Sequence, residues 1–387
     1  MVNFDNSATS FPKPKTVRNS VVYALNNYGG NAGRGGHSLS MATSEAIYSA
    51  REVVADFFDA SAENVIFTQN CTHALNTAIF GTVKQGDHVV ISNLEHNSVS
   101  RVVHHLYEKG VITYTIFEVS EDDESTINNF ISSLKPNTKV VVTTIGSNVT
   151  GQILPFKSIG DICKQKDICY IADGSQGSGV VPISLKDDSI NILCTSGHKS
   201  LYGVTSCGVL VTDCRYPIEP LMFGGTGSTS NTLEQPDFLP DRLESGTLNT
   251  IGIVSLKAGI EYVNSIGINK IYLHEDSLCN TFINGIKDIP QVVVYRSPKA
   301  KYLPIVSFNI TGIHSNLVGE YLNSSGFCLR AGFHCSALAH KSLNTTNGTV
   351  RFSPSIFNNT KEVHMLIFAI KKIVYNSLKT LENGSKE

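Results

Sequence analysis

Lys199 stands in an odd setting for a lysine. The stretch Thr-Ser-Gly-His-Lys-Ser at 195–200 follows the apolar run Ile-Leu-Cys at 192–194, so the pattern predicts an amine at the end of a buried strand. Similar polar sets close the other apolar runs. Asp173 and Gln176 come after Cys-Tyr-Ile-Ala, Glu95 and His96 after Val-Val-Ile-Ser-Asn-Leu, and Asn148 just beyond Val-Val-Val-Thr-Thr-Ile-Gly. Gln69, Asn70, Cys71, Thr72 and His73 come after Val-Ile-Phe-Thr and open a helical pattern. A desolvated lysine amine attacks carbonyl carbon, an imidazole moves protons, and the first amides of a helix bind anions. Each residue also has a plainer reading alone: Thr72 as a helix cap, Asp173 as a turn former, His96 as a packing residue, Lys199 as a surface charge. Their recurrence at successive strand ends favours one shared site.

The elements that must hold these residues alternate. From residue 43 to about 270, short Val/Ile-rich runs are separated by helical or polar stretches, which points to an α/β fold with a mostly parallel central sheet covered on both faces. Ligands of such sheets gather at the carboxyl ends of the strands, where all these polar sets fall. The helix around 43–58 is given Thr43 or Ser44 as its cap. Beyond about 290 the pattern changes to strands near 292–296 and 304–310 and helices near 314–324 and 361–380, a smaller α+β unit. The expected division is a large domain over 15–265 and a small one built from 1–14 and 266–387. The stretch 217–250 is too long for an ordinary connection and is expected to serve the site or an interface.

Composition excludes several classes. With 31 basic and 33 acidic residues and no basic block, nothing steers the chain to nucleic acid or an anionic membrane. The N-terminus lacks a basic-then-apolar signal, and no apolar run approaches the roughly 18 residues of a membrane span, so a cytoplasmic protein is expected. Nine cysteines without a Cys-x-x-Cys pair argue against a zinc ribbon, a dithiol redox site and a disulfide framework, and no metal is expected. No Gly-x-Gly-x-x-Gly follows a strand, which disfavours a dinucleotide dehydrogenase.

The strand-end residues match the needs of pyridoxal 5'-phosphate. Lys199 would hold its aldehyde as a Schiff base, and Asp173 its pyridinium nitrogen. Cys71 and Thr72, through a helix N-terminus, together with Ser196 and His198 would hold its phosphate. His96 could lie over the ring, and Gln176 could reach the phenolic oxygen.

On these residues the chain resembles the class V aminotransferases of the fold type I pyridoxal-phosphate enzymes. The resemblance rests on "DGSQ" at 173–176, "SGHK" at 196–199, "FTQNCTHALN", "NLEHNS", "SNVTGQ", "GGTGS" and "LESGTLN", and runs from "NFDNSATS" to the last helix. "LRAGFHCSALAH", with Arg330, His334 and Cys335, is similar to the active-site loop of the cysteine desulfurase and selenocysteine lyase branch. It implies conversion of L-cysteine to L-alanine, with Cys335 taking the sulfur as a persulfide, Lys199 moving protons and His96 assisting. Arg330 and His334 flank Cys335, and cationic neighbours favour a thiolate; Cys71, Cys194 and Cys207, beside or within strands, are expected to be inert. By the same resemblance Arg351 clamps the substrate carboxylate, Asn148 lies near that carboxylate and the cofactor ring, and Thr247 reaches the phosphate of a neighbouring subunit in a homodimer with shared sites. Arg330 either meets substrate or pairs structurally. The chain departs from the family at Cys71, whose amide could still serve. The short span from Cys335 to Arg351 implies a constrained cysteine and a sulfur-acceptor protein, with roles such as iron–sulfur cluster assembly open. L-Selenocysteine as substrate, a β-eliminating cysteine or cystine lyase, and an aminotransferase remain the alternatives.

Overall fold

The computed structural model describes residues 1–33 and 35–384, and side chains as far as Ser377; the last three residues of the expected small domain lie outside the described residues. A seven-stranded sheet forms the centre, in the order Val65–Thr68, Gly208–Thr212, Ile192–Ser196, Cys169–Asp173, Thr138–Thr144, His88–Ser92, Thr113–Phe117. Every strand is parallel except Gly208–Thr212, which runs against both its neighbours. The inner strands are buried, apart from Lys139 at the start of Thr138–Thr144, which is why they read as continuous rather than alternating apolar runs. Their pleat still sorts side chains by face. Tyr170 and Ala172 join Val54, Phe58 and Leu256 in one core, while Ile171 joins Leu75, Ile79 and Val103 in the other.

A second sheet is antiparallel, in the order Arg330–Gly332, Thr349–Phe352, Val306–Ile310, Val292–Val294. It has its own core, in which Phe282 stacks on Phe352 at 4.3 Å between ring centres. The chain start belongs to this core through Phe4, and Val2–Asn3 pairs in parallel with Phe327–Cys328.

Two caps differ from expectation. The helix around 43–58 spans Ser38–Phe58 and is capped by His37, whose ring accepts from the Ser40 amide. Thr43 and Ser44 lie inside it, where each hydroxyl donates to the carbonyl four residues back, at 3.0 Å. At Cys71–Thr82 the cap is Asn70, accepting from the His73 amide at 2.9 Å, rather than Thr72. Helices Lys15–Asn27 and Ile268–Ile286 carry no expectation from the sequence. The first leaves Val22, Tyr23 and Leu25 exposed, so its apolar residues do not mark one buried face. The long 217–250 connection is pinned at Glu244, whose carboxylate takes both guanidinium nitrogens of buried Arg51 at 2.8 Å and the Phe67 amide at 2.6 Å.

Helix Thr250–Ile266 packs against the turn that follows Lys199 so closely that a Cβ on Gly259 would sit 2.0 Å from the Leu201 carbonyl oxygen. The three nearest atoms are all backbone, so the turn itself must yield. Gly259→Ala is therefore expected to cost about 1–3 kcal/mol, read as a lower urea midpoint by circular dichroism. An unchanged midpoint would show that this contact does not hold the turn.

Candidate active site

The carboxyl ends of the parallel strands open into a cavity of about 220 Å³ lined by residues of both sheets and of the chain start. Lys199 is half-buried at its floor. Burial pushes its amine below the ordinary value, with the Asp173 carboxylate opposing, so the neutral nucleophilic form is easier to reach. The turn carrying it is fastened from the chain start: the His198 carbonyl accepts from Lys13 Nζ at 2.9 Å and from the Ser10 amide at 3.1 Å.

Around the lysine stand groups without a partner in the fold. Ser196 Oγ and His198 Nδ1 are buried, line the cavity and meet no hydrogen-bond partner among the described residues. The Cys71 and Thr72 amides open helix Cys71–Thr82, ahead of its first internal hydrogen bonds. Hydroxyl, imidazole and helix-start amides together suit a phosphate. Asp173 is buried, with Oδ1 accepting from the Ser175 amide at 2.9 Å and facing Cys71 Sγ at 3.6 Å. Burial raises the Cys71 and Cys194 thiols well above their ordinary value and raises Cys207 to about 12, so all three stay protonated at neutral pH, as expected of inert cysteines. Gln176 donates to the Ser7 carbonyl at 3.1 Å. These residues fit pyridoxal phosphate in the donor set they present.

His96 is neutral. Its Nδ1 accepts from the Ser98 amide at 3.1 Å, which leaves Nε2 to carry the proton, and burial pushes the ring down to about 4. Behind it Glu95 is fully buried: Oε1 takes the Ser92 hydroxyl and the Thr144 amide, while Oε2 has no partner among the described residues.

The smaller sheet brings Arg330 and Arg351 to the same cavity. Arg351, 1% exposed, donates from Nη2 to Asp5 Oδ1 at 2.9 Å and from Nη1 to the Asn148 carbonyl at 2.8 Å; its Nε is buried without a partner among the described residues. Cys335 is exposed at the cavity's edge, with Arg330 Nη2 3.3 Å from its Sγ, so Arg330 engages the thiol. His334 does not add a second cation. It is buried, hydrogen-bonded through Nε2 to Thr349, and pushed down to about 2 by burial and by the nearby Arg351. Asn148 lines the cavity but its amide is committed elsewhere, to the His334 carbonyl and the Ser336 hydroxyl. Thr247 lies apart, exposed in a different cavity and accepting from Asn31. Asp5, Ser10, Lys13 and Ser336 escape a reading of strand ends because none follows an apolar run; Asp5 and Ser10 fall in the quoted N-terminal motif and Ser336 in the quoted cysteine loop, but neither motif shows what they bond.

Residues 2–366 match the family model described as Aminotransferase class-V. The chain is 31% identical, over 95% of its length and 94% of the relative's, to a protein of Methanothermobacter thermautotrophicus named "Probable cysteine desulfurase". A "Cysteine desulfurase" of Haloferax volcanii is 28% identical over 96% and 88% of the two chains. The apo structure of a cysteine desulfurase from Thermococcus onnurineus superposes at a TM-score of 0.90 with 30% identity, covering 97% and 95%. A cysteine desulfurase from Escherichia coli superposes at 0.86 with 22% identity, covering 96% and 94%, and shows the fold alone.

Glu95 gives the site a pH signature. Burial raises its carboxyl from 4.5 to about 8, so the fold keeps a proton that the unfolded chain releases near 4.5. Its contribution is whole below that lower value and is lost as pH rises to about 8, at up to ~1.4 kcal/mol per pH unit. Urea unfolding between these limits should show the wild type losing stability relative to Glu95→Gln as pH rises. Parallel curves would contradict a protonated Glu95.

Proposed function

This chain belongs to the aminotransferase class-V family, and from that premise we propose that it is a pyridoxal-phosphate-dependent cysteine desulfurase whose sulfur carrier is Cys335. The observation that carries this reading is the 3.3 Å approach of Arg330 Nη2 to Cys335 Sγ, because Arg330 also lines the cavity of Lys199. A nucleophilic thiol beside a lysine cavity has no task in an aminotransferase or a β-eliminating lyase. L-Selenocysteine would meet the same residues and stays the second substrate to try.

Pyridoxal phosphate, when bound, supplies an electron sink for bond changes at the α- and β-carbons of the substrate. Lys199 would hold its aldehyde, Asp173 its ring nitrogen, and Ser196, His198 and the Cys71 and Thr72 amides its phosphate. Gln176 would stand at the phenolic oxygen. Arg351 would take the substrate carboxylate, its Nε being a buried donor with no acceptor among the described residues. Lys199, once free as an amine, would carry the proton between the α-carbon and its neighbour, and neutral His96 would offer its Nε2 proton. Cys335 Sγ would attack the substrate sulfur; the S–S bond forms as the C–S bond breaks, and the carbon takes a proton to become the methyl of L-alanine.

In this reading residues 15–265 form the domain that holds the cofactor, and 1–14 with 266–387 the domain that brings the nucleophile. Thr247, remote from Lys199 within one chain, would serve the cavity of a second copy in a cytoplasmic homodimer. A sulfur-acceptor protein, of iron–sulfur assembly or another sulfur route, would collect from exposed Cys335.

The test is product identity. With L-cysteine and a reductant, the yellow protein should form alanine and sulfide in equal amounts. Cys335→Ala should stay yellow and lose both by roughly a hundredfold or more. Lys199→Ala should lose the Schiff-base absorption as well as turnover. Pyruvate from both the wild type and Cys335→Ala would overturn the reading.

A further inference from the structure

Cys335 combines an exposed side chain with a strictly held backbone. Both His334 (φ 47°) and Cys335 (φ 58°) are left-handed, a conformation unfavourable for residues other than glycine. Two such residues in succession persist only where the surroundings dictate them. Three contacts do so. The Asn148 amide donates from Nδ2 to the His334 carbonyl at 2.7 Å and accepts the Ser336 hydroxyl on Oδ1 at 2.6 Å. The Asn97 amide, at the start of the helix behind His96, donates to the Cys335 carbonyl at 2.8 Å. The amide orientation of Asn148 is unambiguous, since a carbonyl needs its NH2 and leaves its oxygen for the hydroxyl.

Asn148 and Ser336 are buried and 188 residues apart in the chain, so the bond ties the large sheet to the cysteine loop. Asn148 also holds Arg351, but through its main-chain oxygen, which no side-chain replacement removes. One residue thus grips the carboxylate arginine with its backbone and the nucleophile's loop with its side chain.

We propose that Asn148 and Ser336 are positioning residues for Cys335: their hydrogen bond holds the left-handed turn that keeps Sγ beside Arg330 and in register with Arg351. The proposal rests on the desulfurase reading, because the step it serves is attack on the substrate sulfur. Loss of the bond through Ser336 should affect that step and spare substrate binding, since the Arg351 contact and the Asn148 side chain both remain.

The test compares holoenzymes of the wild type, Ser336→Ala, Asn148→Ala and the double variant, each checked for folding by circular dichroism. Ser336→Ala should lower kcat for alanine about tenfold, keep KM for L-cysteine within about twofold, and leave the visible spectrum unchanged. The double variant should lose no more than Asn148→Ala, because both remove one bond. Amide hydrogen exchange of a peptide spanning 333–337 should quicken by about threefold or more in Ser336→Ala. Unchanged exchange, unchanged kcat or multiplying losses in the double variant would each overturn the proposal. If the wild type makes no alanine, the desulfurase reading fails separately, and the exchange data alone decide whether the bond holds the loop.

Discussion

Three cationic side chains, Lys199, Arg330 and Arg351, face one small cavity against two carboxylates, Asp173 and Asp5. That crowding is the constraint on which the rest of the site depends. The two arginines add to burial in discharging Lys199, and Arg330 together with burial works against Arg351, while each carboxylate restrains one cation. The balance leaves room for negative charge. A ligand bearing a phosphate and a carboxylate would relieve both the repulsion and the groups at Ser196, His198 and Arg351 Nε that have no partner among the described residues. The lowered proton affinity of the Lys199 amine and the anion preference of the cavity therefore come from the same charge arrangement.

Holding those charges takes two cores and a stitch between them. The parallel sheet delivers Asp173, Ser196 and the Lys199 turn from adjacent strand ends, and the antiparallel sheet delivers Arg330 and Arg351 from adjacent strands. The first residues of the chain run between the two. Phe4 is anchored in the smaller core, Asp5 takes Arg351, Ser7 takes Gln176, and Ser10 and Lys13 take the His198 carbonyl. These contacts, spread over Phe4 to Lys13, bring Ser7 and Ala8 into the cavity wall and couple the setting of Arg351 to that of Lys199.

Much of the large sheet was legible because its signals are local. A continuous run such as Cys169–Asp173 marks a strand buried on both faces, and the polar residue that ends it marks the ligand edge of a parallel sheet. The helix at 43–58 is legible from its period but its start is not, because a hydroxyl can cap a helix or bond back within one, and sequence alone does not tell these apart. The reversed direction of Gly208–Thr212 was likewise invisible, since a buried antiparallel strand reads like its parallel neighbours.

The sequence by itself determined which residue types close the strands, and through its motifs the family, because adjacency along the chain places a side chain at the end of its own strand. Only the tertiary structure decided which of them share a bond. Asp5 meets Arg351 across 346 residues, and Ser336 meets Asn148 across 188. It turned His334 inward to Thr349, left Arg330 as the partner of the Cys335 thiol, and set Thr247 away from Lys199. The physical reason is that these contacts form where two separately packed cores dock, and the left-handed backbone at 334–335 is imposed by that docking rather than by any preference of histidine or cysteine.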